Sequence, residues 1–334
     1  MNIETVGNNE LKRKVRDVLM GIAIGDALGV PVEFTLRRDL DKSPVTGMMG
    51  GGTHNQPPGT WSDDSSLVFC TCESLCNGYN LEDIAIQFSK WKNNRFWTPH
   101  RRVFTMGIQI QKAIERIDRF LEMGIRVKPY SREGVSEFEN GNGSLMRILP
   151  LAFYLKDFSR DERLTIISDV SALTHPHLRA VTGCFIYTDF AINLIEGMNK
   201  SEAYEALQQS TRDFLIQKTE PKELKFYSRI LNGDIGSLSD KSIESSPYVV
   251  HTLESAMWSV MRQTSFRETV LTAVNLGGDA DTIGALSGGL AGLIYGLNEI
   301  PEEWLSVLVR KDDIVDLAAR FSGKIDSLTQ ILKS

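Results

Sequence analysis

The sequence has no surplus of positive charge. Its 37 Lys and Arg residues are outnumbered by 43 Asp and Glu residues, so the formal net charge is -6 and the pI is near 5.5. A protein that holds nucleic acid by neutralising phosphates needs a basic surface, so this balance argues against a nucleic-acid partner. The densest basic segment, residues 95–102, is interpreted as a solvated loop.

Cysteine and long apolar runs are also scarce. The spacing of the four cysteines fits neither a zinc site nor a disulfide framework. The uncharged stretch at residues 282–297 is too short to span a membrane, and residues 1–10 lack the apolar core of a signal peptide. We therefore expect a cytoplasmic protein without a membrane partner. The cysteines are Cys70, Cys72, Cys76 and Cys184.

Strand patterns are absent too. No segment shows a convincing alternation of polar and apolar residues, whereas apolar residues recur at helical spacing along most of the chain. A length of 334 residues with 42% hydrophobic residues allows a sizeable core, and no clear linker divides the chain. We predict one compact all-α domain at residues 1–334. The helices are predicted at residues 11–28, 65–76, 81–92, 107–122, 145–154, 163–173, 178–196, 201–217, 248–261, 266–275, 282–296 and 304–321.

Two short acidic clusters, far apart in the chain, are its most informative feature. The first reads Trp-Ser-Asp-Asp-Ser at residues 61–65, and the second reads Gly-Gly-Asp-Ala-Asp-Thr at residues 277–282. Ionised Asp side chains this close repel one another, and a hard divalent cation, which prefers carboxylate and hydroxyl ligands, would remove the conflict. Both clusters also have the composition of helix N-caps, and the two roles are compatible. If folding brings the clusters together, a two-metal centre is predicted.

Glycine recurs every fourth residue in two of the predicted helices. An interior helical glycine costs about 1 kcal/mol relative to alanine, so a close approach of two backbones, or of a backbone and a ligand, is the expected compensation. If the two stripes face each other, Asp26 and Glu33 fall near Asp279 and Asp281. The stripes are Gly21, Gly25 and Gly29, and Gly284, Gly288, Gly292 and Gly296.

Two further segments carry groups suited to a ligand. The glycine-rich segment at residues 139–144 precedes a predicted helix. It is either a loop that offers backbone N–H groups and admits a ligand close to the chain, or a plain turn capped by Ser144. His175, in Thr-His-Pro-His at residues 174–177, either hydrogen-bonds a ligand or caps a helix break.

Together these segments resemble the ADP-ribosylglycohydrolase family, the group that includes the dinitrogenase reductase-activating glycohydrolase. Five motifs carry the resemblance in the family's order and span most of the chain. The first, third and last are specific in combination. The motifs are GIAIGDALGVPVE at residues 21–33, TWSDDS at 60–65, GNGSLMR at 141–147, TH at 174–175 and GGDADTIGA at 277–285.

The resemblance implies a compact orthogonal helical bundle whose cleft holds two divalent cations, Mg²⁺ or Mn²⁺. It also implies a hydrolase that removes ADP-ribose from a modified protein side chain or small conjugate, with N-linked arginine as the expected acceptor. The implied metal ligands are Ser62, Asp63, Asp64, Asp279, Asp281 and Thr282. The implied catalytic residues are Asp63, Asp64, Glu33 and Asp281. The implied substrate-binding residues are Gly107, Gly141, Asn142, Gly143, Ser144, Met146 and His175.

The chain departs from the family pattern at two positions. Ser62 stands where Thr is common, and it keeps the hydroxyl oxygen. Thr105 stands where many bacterial members carry an Asp credited with positioning the attacking water. The second departure motivates an alternative, namely a protein of the same fold that binds ADP-ribose, or blocks an ADP-ribosyltransferase as an immunity protein, with weak or no hydrolysis.

Overall fold

The computed structural model describes residues 3–333, and the prediction of an all-α fold is confirmed for them. No strand forms within this range, where the bridges between Gly51 and Gln56 and between Gly141 and Tyr248 are isolated. The α-helices of six or more residues are α1 (Ile3–Gly29), α2 (Asp63–Leu75), α3 (Leu81–Asn94), α4 (Ile108–Glu122), α5 (Pro150–Leu155), α6 (Arg160–Ala172), α7 (Leu178–Ile195), α8 (Lys200–Ala206), α9 (Arg212–Lys218), α10 (Val249–Arg262), α11 (Phe266–Val274), α12 (Ala280–Tyr295) and α13 (Lys311–Lys333).

Short helical turns connect these helices. Single α-helical turns lie at Arg37–Leu40, Pro221–Leu224, Ser228–Leu231 and Glu302–Leu305. The 3-10 turns lie at Val30–Val32, Gly52–His54, Leu145–Arg147, Lys225–Tyr227, Ile235–Ser237, Asp240–Ser242 and Leu297–Glu299.

Three helices that the periodicity predicts as continuous are interrupted. The helix predicted at residues 145–154 begins as a 3-10 turn, and α5 starts only at Pro150, because proline has no N–H with which to continue the preceding turn. The helix predicted at residues 201–217 is divided into α8 and α9 by a π-turn at Leu207–Thr211. The helix predicted at residues 304–321 is interrupted at Arg310, whose φ of 58° lies in the left-handed region that a helix interior does not tolerate.

Helices α1 and α12 cross backbone to backbone at the centre of the protein. A Cβ atom on Gly25 would lie 1.9 Å from the carbonyl oxygen of Gly284, and one on Gly21 would lie 2.2 Å from that of Gly288. The two glycine stripes therefore face each other, as expected. Gly296 is the exception, because it follows the last residue of α12 and caps the helix with a φ of 80°.

Helix α7 lies inside the protein. By length and composition it is apolar enough to cross a membrane, but 94% of it is buried by the rest of the fold, as in the core helix of a globular protein. Its buried Asp189 carboxylate contacts Arg163 at 3.0 Å and Arg160 at 3.2 Å, and it accepts a 2.6 Å hydrogen bond from Thr211. These partners compensate for burying a charge in the core.

Candidate active site

A cavity of about 430 Å³ opens where the C-terminal end of α1 meets the N-termini of α2 and α12. Five carboxylates line it, and none of its lining residues is a lysine or an arginine. All five are buried, with at most 9% of each residue exposed. They are Glu33, Asp63, Asp64, Asp279 and Asp281. The two acidic clusters of the sequence therefore meet at one site.

A larger groove of about 640 Å³ lies elsewhere, between residues 40–46 and α11. It is open to solvent, and its charged residues, Asp41, Arg267 and Glu268, are exposed. Buried polar groups that converge on a concave space are the usual mark of a ligand site. The smaller, acid-lined cavity is therefore the candidate active site.

The crossing of α1 and α12 places the second acidic cluster. A Cβ atom on Gly29 would lie 2.3 Å from the Cα atom of Asp281, so only glycine allows the helices to approach this closely at the cavity. Glu33 follows directly after the 3-10 turn that ends this approach. The close backbone contact thus brings Glu33 to the start of α12.

Asp26, on α1, fixes the first acidic cluster. Its fully buried carboxylate accepts hydrogen bonds from the backbone N–H groups of Ser62 and Ser65, at 2.9 and 3.0 Å, and from the Ser65 hydroxyl at 2.6 Å. Ser62 in turn caps α2 by accepting a bond from the backbone N–H of Asp64. The cap interpretation of this cluster is therefore correct, and the cap directs Asp63 and Asp64 towards the cavity.

Burial and mutual repulsion disfavour the ionised forms of these acids. Burial, followed by the charges of Asp279 and Asp63, raises the pKa of Glu33 to about 8. Burial likewise raises the pKa values of Asp63 and Asp279 to about 6 each, and it raises those of Asp64 and Asp281 well above the ordinary Asp value. All five carboxylates can be ionised together at neutral pH only if a cation compensates their charge.

The donor set fits a hard divalent cation. Carboxylate oxygens of Glu33, Asp279 and Asp281 all lie within 4.8 Å of one another. Oδ1 of Asp64 is buried and has no hydrogen-bond partner in the described part of the chain, which is costly for a carboxylate oxygen unless an ion binds it. Oxygen-only sites of this kind suit Mg²⁺ and Mn²⁺.

Glu33 has two partners that the sequence analysis missed. Its carboxylate oxygen Oε2 forms a short contact with Nε2 of His54, and its backbone carbonyl accepts a 2.6 Å bond from the Thr53 hydroxyl. Both residues belong to the 3-10 turn at Gly52–His54, and the His54 ring packs against Phe104 at 5.3 Å between centroids. A histidine in a glycine-rich loop gave no sequence signal for this contact.

The glycine-rich segment lines the cavity, but its backbone is only partly free. The N–H of Asn142 donates to the carbonyl of Pro247 at 3.0 Å, so it is not available to an anion. The Asn142 side chain donates to the Thr252 hydroxyl at 2.9 Å and forms a short bond to Asp279. Asn142 therefore supports an acid of the site.

Most of the predicted site residues lie on the cavity wall. Two do not line it. The Ser62 hydroxyl is engaged with Asp64, and the buried Ser144 hydroxyl accepts a 2.9 Å bond from Ser171 in the interior. The metal role of Ser62 and the substrate role of Ser144 stay predictions. The predicted residues that line the cavity are Glu33, Asp63, Asp64, Gly107, Gly141, Asn142, Gly143, Met146, His175, Asp279, Asp281 and Thr282.

The mouth of the cavity is apolar and exposed. Phe34 and Ile108 line it with 61% and 74% of their surfaces exposed. Phe34 has a φ of 64°, an uncommon backbone conformation for an aromatic residue, and its N–H donates to the carbonyl of Gly278 at 2.6 Å. Thr105 also lines the cavity, in the segment before α4.

Comparisons with known proteins agree with this site. The sequence profile of the ADP-ribosylglycohydrolase family matches residues 7–330. The chain is 31% identical over 325 residues to "ADP-ribosylarginine hydrolase Tri1" of Serratia proteamaculans, covering 94% of this chain and 80% of that protein. It is 29% identical over 301 residues to "ADP-ribosyl-[dinitrogen reductase] glycohydrolase" of Rhodospirillum rubrum, covering 87% and 89% of the two chains.

A solved structure has the same fold. It is described as an "ADP-ribosylglycohydrolase-related protein complex" and superposes with a TM-score of 0.75 at 28% identity, covering 95% of this chain and 99% of that one. The expected family resemblance thus holds in sequence and in structure. Because the family profile spans nearly the whole chain, the protein belongs to the ADP-ribosylglycohydrolase family, a family of glycohydrolase enzymes.

Proposed function

We propose that this protein is a metal-dependent hydrolase that removes ADP-ribose from modified protein side chains, with N-linked arginine as the acceptor. The observation that carries the proposal is the convergence of five buried carboxylates in a 430 Å³ cavity whose lining has no lysine or arginine. Cavities of this size hold small-molecule ligands. The arginine linkage is supported by the relative named ADP-ribosylarginine hydrolase.

The residues that would hold two divalent cations line the cavity, and Ser62 is predicted to join them. They are Asp63, Asp64, Asp279, Asp281 and Thr282. When bound, Mg²⁺ or Mn²⁺ would orient the ribose hydroxyls and withdraw electrons from the sugar as a Lewis acid. The protein's own part is to keep these acids close together and away from bulk water, through Asp26 at the start of α2 and the glycine crossing at the start of α12.

Glu33 is placed to accept the proton of the attacking water. It lies in the acid group, and burial with neighbouring charge raises its pKa to about 8, so without metal its carboxyl is protonated at neutral pH. Bound cations would offset the neighbouring negative charges and leave the Glu33 carboxylate ionised to act as the base. As the water oxygen bonds to the anomeric carbon, the bond from that carbon to the guanidino nitrogen breaks, and its electron pair leaves with the nitrogen. The nitrogen takes up a proton from solvent, and Glu33 returns to solvent the proton that it accepted from the water. His54 holds Glu33 in place during this transfer.

The test is release of free ADP-ribose from an ADP-ribosyl-arginine peptide with Mg²⁺ or Mn²⁺, compared with a serine-linked peptide and a small-molecule conjugate. We expect release from the arginine peptide and none after chelation with EDTA. Asp279→Asn should abolish release while leaving the fold intact, and Asp312→Asn, an exposed acid on α13, is the matched control. Absence of release from every linkage would reject a hydrolase function.

A second candidate is a binding protein of the same fold that holds ADP-ribose or blocks an ADP-ribosyltransferase. It is favoured by Thr105, which lines the cavity at a position where an acid is expected from the family pattern. Titration of ADP-ribose by calorimetry, with Thr105→Asp alongside the wild type, separates the two candidates. Tight binding with hydrolysis gained only in Thr105→Asp would favour the binding protein, and wild-type hydrolysis as fast as that of Thr105→Asp would exclude it.

We further propose that the chain forms one domain. The first long helix, α1, packs against α12 and against the last helix, α13, so both ends of the chain contribute to one core. A cytoplasmic location stays a prediction.

A further inference from the structure

Among the described residues, the buried cation Arg147 has no ion-pair partner. It is 0% exposed, and within the same part of the chain only its Nη2 atom has hydrogen-bond partners, while Nε and Nη1 have none. Its guanidinium lies 4.7 Å from the ring centroid of Phe88, and burial lowers its pKa to about 10, so it stays charged at neutral pH. A buried charge with so few partners is costly, so stability alone does not account for it.

The bonds that Arg147 makes have a defined direction. Nη2 donates to the carbonyl of Val170 at 3.1 Å and to the Thr174 hydroxyl at 2.7 Å, and a guanidinium has donors only. The same hydroxyl oxygen lies 2.8 Å from Nδ1 of His175. Since Arg147 can only donate, Nδ1 of His175 is the one hydrogen-bond acceptor that the described residues place within reach of the Thr174 hydroxyl proton.

We infer that Arg147 acts through Thr174 as a positioning residue that holds His175 in the tautomer protonated on Nε2, so that this histidine presents a neutral hydrogen-bond donor to the cavity. Nδ1 accepts the Thr174 proton, and the ring proton must therefore lie on Nε2.

The surroundings of His175 hold the ring in this orientation. Its backbone N–H donates to Ser171 at 2.7 Å, and the carbonyl of Thr174 accepts a 3.2 Å bond from the Gln109 side chain. The ring lies against the glycine-rich loop, where a Cβ atom on Gly143 would come within 2.6 Å of Cε1 and 3.1 Å of Nε2. The absence of a side chain at this position therefore lets the ring reach the cavity that it lines.

The surroundings of His175 also keep its ring neutral. Burial, and then the charge of Arg147, lower the pKa of His175 to about 3, so the ring does not gain a second proton at physiological pH. A histidine that is neutral and protonated on Nε2 donates to an oxygen of a ligand and does not serve as a base. Recognition of ribose or phosphate oxygens is thereby separated from proton transfer at Glu33, and only this ligand assignment rests on the proposed function.

The tautomer is measured in the protein without metal or ligand. Nitrogen NMR of protein labelled with ¹⁵N-histidine distinguishes a protonated ring nitrogen from an unprotonated one, and His175→Gln assigns the signals among the five histidines. We expect His175 to show a protonated Nε2 and an unprotonated Nδ1 between pH 5 and pH 8. A protonated Nδ1, or a charged ring in this range, would overturn the inference.

Two variants of Thr174 test the role of the hydroxyl. Thr174→Val removes the hydroxyl at nearly constant shape and should populate the tautomer protonated on Nδ1, whereas Thr174→Ser keeps the hydroxyl and should leave the spectrum unchanged. For the ligand, Thr174→Val should raise the ADP-ribose dissociation constant roughly two- to tenfold, the value of one hydrogen bond, and raise KM more than it lowers kcat.

An unchanged tautomer in Thr174→Val, or a changed one in Thr174→Ser, would contradict the inference. If Thr174→Val does not fold, the wild-type spectrum still decides. An inactive protein with the expected spectrum would remove the proposed function and leave the tautomer assignment standing.

Discussion

The glycine crossing of α1 and α12 predicts that replacing Gly25 with alanine destabilises the protein. The same replacement at the exposed Gly323 of α13 should stabilise it. Gly25→Ala places a Cβ atom 1.9 Å from the carbonyl oxygen of Gly284, although real Cβ atoms essentially never come closer than 3.0 Å to such an atom. The helices must therefore separate by roughly 1 Å. A gap of that size forfeits about a quarter to a half of each van der Waals contact along the interface.

The expected loss exceeds the gain in helix preference. Alanine gains about 1 kcal/mol over glycine in a helix interior, whereas overpacking a core costs about 1–3 kcal/mol and here the opposing atom is rigid backbone. Taking the upper end of that cost, we expect a net decrease of about 2 kcal/mol in the free energy of unfolding. Because Glu33 and Asp281 meet at the end of this crossing, metal affinity should fall as well.

Urea denaturation followed by circular dichroism measures this effect, and Gly323→Ala is the matched control. Gly323 lies in α13, is exposed, and has no neighbouring heavy atom within 4 Å of its built Cβ position. The same substitution there should increase the free energy of unfolding by about 0.5–1 kcal/mol. A Gly25→Ala protein as stable as the wild type would refute the reasoning that these helices require glycine to pack.

Three further predictions concern the acid group. In EDTA-treated protein, Mg²⁺ or Mn²⁺ at a hundred times its dissociation constant should raise the free energy of unfolding by about 2.7 kcal/mol, and Asp281→Asn should remove most of that gain. Without metal, the free energy of unfolding should fall as pH rises from about 4.5 to 8. Glu33 and Asp26 have pKa values of about 8 and 7 in the folded protein, which therefore retains protons that the unfolded chain releases. Glu33→Gln should flatten this decline, and a free energy of unfolding that rises over this range would contradict the prediction. Asn142→Ala removes a donor to Asp279 and should weaken metal binding about 10- to 100-fold by calorimetry, whereas unchanged affinity would show that this bond does not orient the ligand.

Much of the fold was predictable because its signals are local. Helical periodicity covers most of the helices, and the errors fall where a single residue or bond interrupts a helix, as at Pro150 and Arg310. The contact between the two glycine stripes was also predictable. Each helix loses helix preference at its glycines, and close packing of the two backbones is the expected compensation.

The acids of the candidate site were predictable for a similar reason. Asp63 and Asp64, like Asp279 and Asp281, are neighbours in the chain, so their mutual repulsion is visible without a fold. Contacts between distant residues were not visible. His54 and Glu33 meet only because two turns pack together. The sequence does not indicate which of the many acidic residues a single histidine in a loop will contact.

By itself, the sequence determined the all-α class, the family and most of the residues that line the candidate site, because each of these is encoded in short, contiguous patterns. Only the tertiary structure decided how these residues are held. In the fold, Arg147 contacts Thr174, which contacts His175. The Asp26 carboxylate accepts hydrogen bonds at the start of α2, and the Ser62 hydroxyl caps that helix. Hydrogen bonds have a direction and a range of about 3 Å, so their partners are settled only when packing has fixed both ends.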